Sequence, residues 1–291
     1  LNNHVVLPVS KDTYKIENRF GQYASISDAN RLIVQLLAKG AISLSSGNSL
    51  RELWLCVPPL REQKAISRFL DRETTRLDTL IEKKERFIEL LQEKRQALIT
   101  QAVTKGLTNV PMKDSGVEWI GEVPTHWGKY QLKNLADVCN GRDYKGVEDS
   151  DGQYPVIGSG GPFARAMDFL YSGESVLFGR KGTIDKPLYI DGPFWTVDTM
   201  FYTKIHKNTV ARYLYYIAKT IPYDSLSTNT ALPSMTQEDL ASLSLVVPNK
   251  DEQLEIVNFL DRETTRIDKL IGQTRQSIDL LKERRSSLIT A

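Results

Sequence analysis

Gly158-Ser159-Gly160-Gly161 and Gly179-Arg180-Lys181-Gly182-Thr183 are the two segments whose residue types could serve catalysis. The first sets a serine among glycines, but a nucleophile elbow needs G-x-S-x-G between a strand and a helix. The second sets lysine beside glycine, yet its order and its upstream glycine do not match a phosphate-binding P-loop. His4, His126 and His206 lie at no metal-ligand spacing from one another or from Cys56 and Cys139, which points to structural roles. The chain has no Asp/Asn-Pro-Pro-Tyr/Phe motif of the kind an adenine methyltransferase uses to hold its target base, and no carboxylate pair stands out. These failed tests favour a binding or scaffolding protein over an enzyme.

Any such segment must be positioned, and the chain repeats one positioning element. Phe-Leu-Asp-Arg-Glu-Thr-Thr-Arg occurs at 69–76 and again at 259–266, and the offset of 190 holds without a gap from Val57/Val247 to Thr100/Thr290. Across those 44 pairs, 24 are identical. In the first copy Leu70, Leu77, Leu91 and Leu98 fall on a seven-residue row, with Lys84 in the polar slot and Ile81, Ile88 and Ala102 alongside. In the second, Leu260, Ile267, Leu281 and Leu288 form the row, with Thr274 in the slot and Ile271 and Ile278 alongside. Two apolar rows offset by four in a heptad make a coiled-coil seam. A helix of this length, at about 1.5 Å per residue, is a rod of roughly 65 Å. An apolar stripe that long needs cover, so the two copies are expected to pack on each other.

The 291 residues suffice for two or three domains. Net charge is +2 for 1–56, +3 for 57–106, −3 for 107–246 and 0 for 247–291. No segment is basic in bulk, so any nucleic-acid contact must come from clustered cations. Two cysteines argue against a disulfide framework and, with no signal peptide or spanning apolar run, fit a cytoplasmic protein. Leu53–Val57 before Pro58 and Leu243–Val247 before Pro248 each read as a last strand entering a long helix. Pro58–Pro59, and Asn249 with Glu252 three residues on, suit helix starts. Gly106 suits the end of the first helix. Residues 1–56 therefore read as the tail of a first domain whose front precedes Leu1, and 107–246 as its intact counterpart. That counterpart is glycine-punctuated, with strands expected at 154–157, 175–178, 187–190 and 199–205 and short helices at 211–219 and 237–243.

The ordered motifs resemble the specificity (S) subunits of type I restriction–modification systems. They run from Val-Pro-Pro-Leu-Arg-Glu-Gln (57–63) and the repeat helix to the opener Asp-Ser-Gly-Val-Glu-Trp-Ile-Gly-Glu-Val-Pro-Thr-His-Trp (114–127). Gly-Arg-Lys-Gly-Thr (179–183), Ala-Leu-Pro-Ser-Met (231–235) and Val-Pro-x-x-x-Glu-Gln (247–253) with the second helix follow. The resemblance covers essentially the whole chain. It implies an α+β protein: a mixed, largely β target recognition domain (107–246), the remnant of another (1–56), and two long helices (57–106 and 247–291) packed as an antiparallel coiled coil. It further implies a non-catalytic subunit that reads one half of a split DNA site. The implied partners are double-stranded DNA, two modification (methyltransferase) subunits that carry S-adenosylmethionine, and a restriction subunit. No cofactor belongs to this chain and no membrane is involved. Self-association of two copies on a symmetric site is a further expectation.

Base edges are read by Arg or Lys at guanine and Asn or Gln at adenine, while cations and backbone amides hold phosphates. Loops on a rigid scaffold are the usual place. The candidate loops, 140–145, 159–165, 180–183 and 227–230, give Arg142, Lys145, Ser159, Arg165, Arg180, Lys181, Thr183, Thr228, Asn229 and Thr230 as DNA-contacting candidates. A tight turn is the rival reading of 179–183. Arg72, Glu73 and Arg76, with Arg262, Glu263 and Arg266, are the partner-docking candidates, because two copies of one partner would need the same surface twice. Their rival is ion pairing within the helix. The rival to the whole reading is a non-DNA helical-hairpin interaction scaffold.

Overall fold

A computed structural model of the chain describes residues 16–27, 58–225 and 234–290. The expected strand at Leu53–Val57, Cys56, His4 and the candidates Thr228, Asn229 and Thr230 lie outside the described residues. The chain divides into two compact units. Unit 1 holds the chain up to Leu91 and from Asp268 onward; unit 2 is Gln92–Ile267.

Helix α1 spans Asn18–Ile26, α2 spans Leu60–Lys105 and α6 spans Lys250–Thr290. In unit 1 the heptad rows meet as their spacing requires. Leu70, Leu77, Ile81 and Leu91 of α2 are buried, as are Ile271 and Ile278 of α6. Each such side chain contributes about 1.5–3 kcal/mol of burial. Arg285 pairs with Asp78 at 2.7 Å and Lys282 with Glu85 at 3.7 Å, so the helices run antiparallel. Thr274 is buried in the polar slot, where its Oγ1 donates to the Leu270 carbonyl at 2.8 Å.

Among the described residues, unit 2 is built on four small sheets. β1 (Met112–Asp114) pairs with β2 (Glu122–Pro124), and β3 (Gly128–Gln131) pairs with β12 (Ser244–Val247). A four-stranded sheet runs β4 (Ala136–Asn140), β11 (Met200–Ile205), β8 (Ser175–Gly179), β9 (Leu188–Ile190) in spatial order. A second runs β6 (Gly161–Ala166), β5 (Tyr154–Gly158), β10 (Pro193–Thr196), β7 (Tyr171–Ser172), with β5 and β10 parallel. The short helices are α3 (Leu132–Leu135), α4 (Ala211–Ala218) and α5 (Gln237–Ser242), the last begun by a Thr236–Asp239 capping box.

The β4-β11-β8-β9 sheet lies between two cores, because side chains alternate faces along a strand. Val176, Phe178 and Phe201 join Trp127, Tyr213, Leu214 and Leu245, with Ile99 of α2 and Ile256 and Leu260 of α6. Leu177, Met200 and Tyr202 join Val156, Ile157 and Phe194. Burial on both faces explains why 175–179 reads as an unbroken run rather than an alternation. Tyr213 and Tyr216 of α4 are buried, while Tyr215 between them is half-buried. Asn249 caps α6, its Oδ1 accepting from the Glu252 amide at 3.0 Å. The Glu252 carboxylate does not close a capping box; it takes the Trp127 indole N–H at 3.1 Å and faces His126 at 2.8 Å.

Candidate nucleic-acid interface

Five chain segments converge at one rim of unit 2. Leaving β4, the Gly141 amide donates to the Met200 carbonyl and the Arg142 amide to that of Thr196, both at 2.9 Å. Leaving β8, the Arg180 amide donates to the Thr199 carbonyl at 2.8 Å, and the Arg180 carbonyl accepts from Met235 at 3.0 Å. Lys181 forms an isolated bridge with Ser234. The end of β5 joins because it runs parallel to β10. Thr196 Oγ1 donates to the Ile157 carbonyl at 3.0 Å, and the Val197 amide reaches the same carbonyl at 3.3 Å. Ser159 follows two residues on.

The Val197–Thr199 connection between β10 and β11 is the hub, and glycine permits the approach. A Cβ at Gly141 would lie 2.0 Å from the Val197 carbonyl oxygen. A Cβ at Gly179 would lie 2.1 Å from the Thr183 carbonyl oxygen. The glycines of 179–183 therefore close a tight turn, as the rival reading holds. That turn presents Arg180 and Lys181 at the rim, so the two readings are compatible. Lys181 and Arg142 are exposed. Arg180 is half-buried, its guanidinium 5.9 Å from the Phe201 ring centre and 3.4 Å from the Asp198 carbonyl.

The structure thus gathers Arg142, Ser159, Arg180, Lys181 and Thr183 from five candidates spread over 42 positions of sequence. It does not bring Arg165 to them. Arg165 pairs with Pro155 toward the opposite end of the β5–β6 hairpin, and its Nη1 donates to the Gln153 carbonyl at 3.1 Å. The neighbouring chain there is acidic: Glu148 bridges Ala166, and the Asp149 amide donates to the Arg165 carbonyl. Lys145 sits in a turn where its amide donates to Asp143 Oδ1 at 3.1 Å. Sequence reasoning set Asn140 in a candidate loop without naming it among the contacts, and missed Thr199, Ser234 and Gln237 as rim residues. The one signal available was the Asn and Gln residue types themselves.

The partner-docking candidates lie on the long helices. Arg72 and Arg262 each stack over the phenylalanine three residues back, Phe69 and Phe259, both at 5.6 Å. Each pairs with the next glutamate, Arg72–Glu73 at 3.1 Å and Arg262–Glu263 at 3.0 Å. Arg76 reaches Glu73 at 3.7 Å, and Arg266 is exposed like Arg76. These ion pairs within the helix are exposed and worth little each. The constellation is nonetheless presented twice in nearly the same geometry.

A second duplicated contact escaped the sequence. In unit 1 Asp71 accepts from Arg19 Nε at 2.7 Å and from the Tyr23 hydroxyl at 2.8 Å, and Thr74 lies 3.2 Å from that hydroxyl. In unit 2 Asp261 accepts from Arg212 at 2.8 Å and from the Tyr216 hydroxyl, with Thr264 at 3.4 Å. Gln63 Oε1 accepts the Glu17 amide and Gln253 Oε1 the Val210 amide, both at 2.8 Å. Burial, reinforced by the Asp261 carboxylate, pushes the Tyr216 hydroxyl up to about 12. The helix partners obey the 190 offset, but Arg-x-x-x-Tyr repeats at 193. A search held to one offset passes over it.

Among the described residues, no three His, Cys, Asp or Glu side chains gather as a metal site, and no helix is long and apolar enough to cross a membrane.

Known proteins share this architecture. The chain is 25% identical over 303 aligned positions to a Methanocaldococcus jannaschii protein described as a type I restriction enzyme MjaX specificity subunit, covering 94% of this chain and 67% of that one. It is 20% identical over 171 positions to the EcoDI specificity subunit of Escherichia coli, covering 58% and 38%. Two solved structures share the fold. One is a chain from a study of complex assembly and conformational transition of the type I R-M system, with TM-score 0.75, 15% identity, and 94% and 70% coverage. The other is the HsdS subunit from Thermoanaerobacter tengcongensis, with TM-score 0.59, 14% identity, and 94% and 69% coverage. The chain therefore spans about two thirds of the full length of the relative and structures that it matches end to end. The family model for the type I restriction modification DNA specificity domain matches residues 124–280, more than half of the chain and all of the rim, and the chain belongs to that family.

Proposed function

We propose that unit 2 reads one half of a split DNA site through the rim around Val197–Thr199, as a non-catalytic specificity subunit. The carrying observation is the convergence of Arg142, Arg180 and Lys181 on one rim of a domain whose bulk charge is acidic. Phosphate contacts set register there and side chains at base edges set sequence. The paired Phe-Arg-Glu faces at 69–73 and 259–263 dock two copies of one methyltransferase subunit, since identical partners need identical surfaces. S-adenosylmethionine and the transfer chemistry belong to those subunits, and a restriction subunit joins the same assembly.

Mapping methyladenine across the host genome, with and without this gene, tests the reading. Loss of methylation at one split motif is expected, and survival of every motif would overturn it. Arg180→Ala/Lys181→Ala should weaken DNA binding with the fold intact; unchanged binding would remove that loop from the interface.

A further inference from the structure

Asn140 ends β4 at the rim, is exposed, and precedes Gly141 and Arg142. Its amide orientation is fixed by a chain of obligate partners. The Val138 carbonyl can only accept, so the Gln237 atom 2.7 Å from it is the Nε2 donor. Gln237 Oε1 is thereby turned toward Asn140, whose Nδ2 donates to it at 2.8 Å. One Asn140 amide hydrogen is used. The other hydrogen and Oδ1 make no hydrogen bond among the described residues. What is left is one donor and one acceptor on a planar amide. Adenine offers the complement in the major groove, an N7 acceptor beside an N6 donor; guanine offers two acceptors there and does not fit.

Gln237 has the matching role of support. It is the first residue of α5, which the Thr236–Asp239 capping box begins, and so it is held on a helix rather than a free loop. Asn140 is held by the β4–β11 ladder, opposite Phe201. Two side chains 97 residues apart are locked into one polarity before any ligand arrives. Preorganisation of this kind lowers the ordering cost of recognition.

We propose that Asn140 is a specificity-determining residue that reads one adenine of the half-site, and that Gln237 is its positioning residue. This rests on the reading of unit 2 as a DNA-recognition domain. The test selects duplexes randomised over the half-site with the full chain assembled with the methyltransferase subunits of its system, and sequences the bound DNA. The wild-type assembly should demand A·T at one position. Asn140→Ala should lose roughly tenfold of the discrimination there and keep every other position. Gln237→Met should lose less, at the same position, which a merely structural role would not produce. An unchanged consensus in Asn140→Ala overturns the assignment and leaves the DNA reading standing. So does discrimination lost at a G·C position, or affinity lost uniformly across sequences. A wild-type assembly with no sequence preference overturns both readings together.

Discussion

The two long-helix segments that carry Phe-Leu-Asp-Arg-Glu-Thr-Thr-Arg have the same burial pattern residue for residue over 71–80 and 261–270, yet their surroundings differ. In unit 2 Ile256 is fully buried and Leu260 is too, under a core that includes Trp127, Tyr213 and Ile217. In unit 1 the equivalent Ile66 is only half-buried. It lines an apolar groove of about 950 Å³ with Phe20, Tyr23, Phe69, Leu70 and Ile289. The Asp–Tyr–Arg contacts are alike in both units. A short-range hydrogen-bonded motif needs only its own two helices, whereas burial of an isoleucine depends on everything else packed there.

The largest effect that would sharpen this contrast is Ile81→Asp. It puts an unpaired charge into the unit 1 seam, at a cost of about 3 kcal/mol or more. Hydrogen exchange should quicken in 60–91 and 268–290 while the β strands of unit 2 keep their protection. Unaltered exchange in the helices would rule out the packed seam.

The equivalent pair Ile256→Ala and Ile66→Ala tests the contrast directly. The first removes a side chain from a closed core and should cost about 3 kcal/mol in chemical denaturation. The second removes one already facing a groove and should cost about 1 kcal/mol. Equal losses would break the comparison.

The smallest effect is one of pH. Among the described residues both histidines lie in unit 2. The His206 imidazole is held above its ordinary value by hydrogen bonding to the Asn134 carbonyl, then by Asp137. A raised folded value means the contribution is complete below about 6.5 and is lost as pH rises through the folded value. Melting curves between pH 5.5 and 8.5, a range set around about 6.5, should show a small decline that His206→Gln removes. An identical decline in the variant would assign it elsewhere.

Much of this was legible in the chain. Heptad spacing depends on side chains three and four apart, so Leu70, Leu77 and Ile81 announced the seam without knowledge of the partner. Val176–Phe178 announced a strand by its apolar run. β1 to β4, β6, β7 and β10 were not foreseen. β1, β2 and β7 are only two or three residues long, and Pro162 and Pro193 interrupt any simple alternation in β6 and β10.

Sequence by itself determined the duplication, the apolar heptad seam on each long helix and the glycines that close 179–183. Those features arise from neighbours along the chain. Only the tertiary structure decided that Arg142, Ser159 and Arg180 share a rim while Arg165 does not, and that Asn140 faces Gln237. Strand order β4-β11-β8-β9 and the parallel β5–β10 pair set those meetings. They are pairings across tens of residues, chosen by burial on both faces of a sheet, and no local periodicity encodes them.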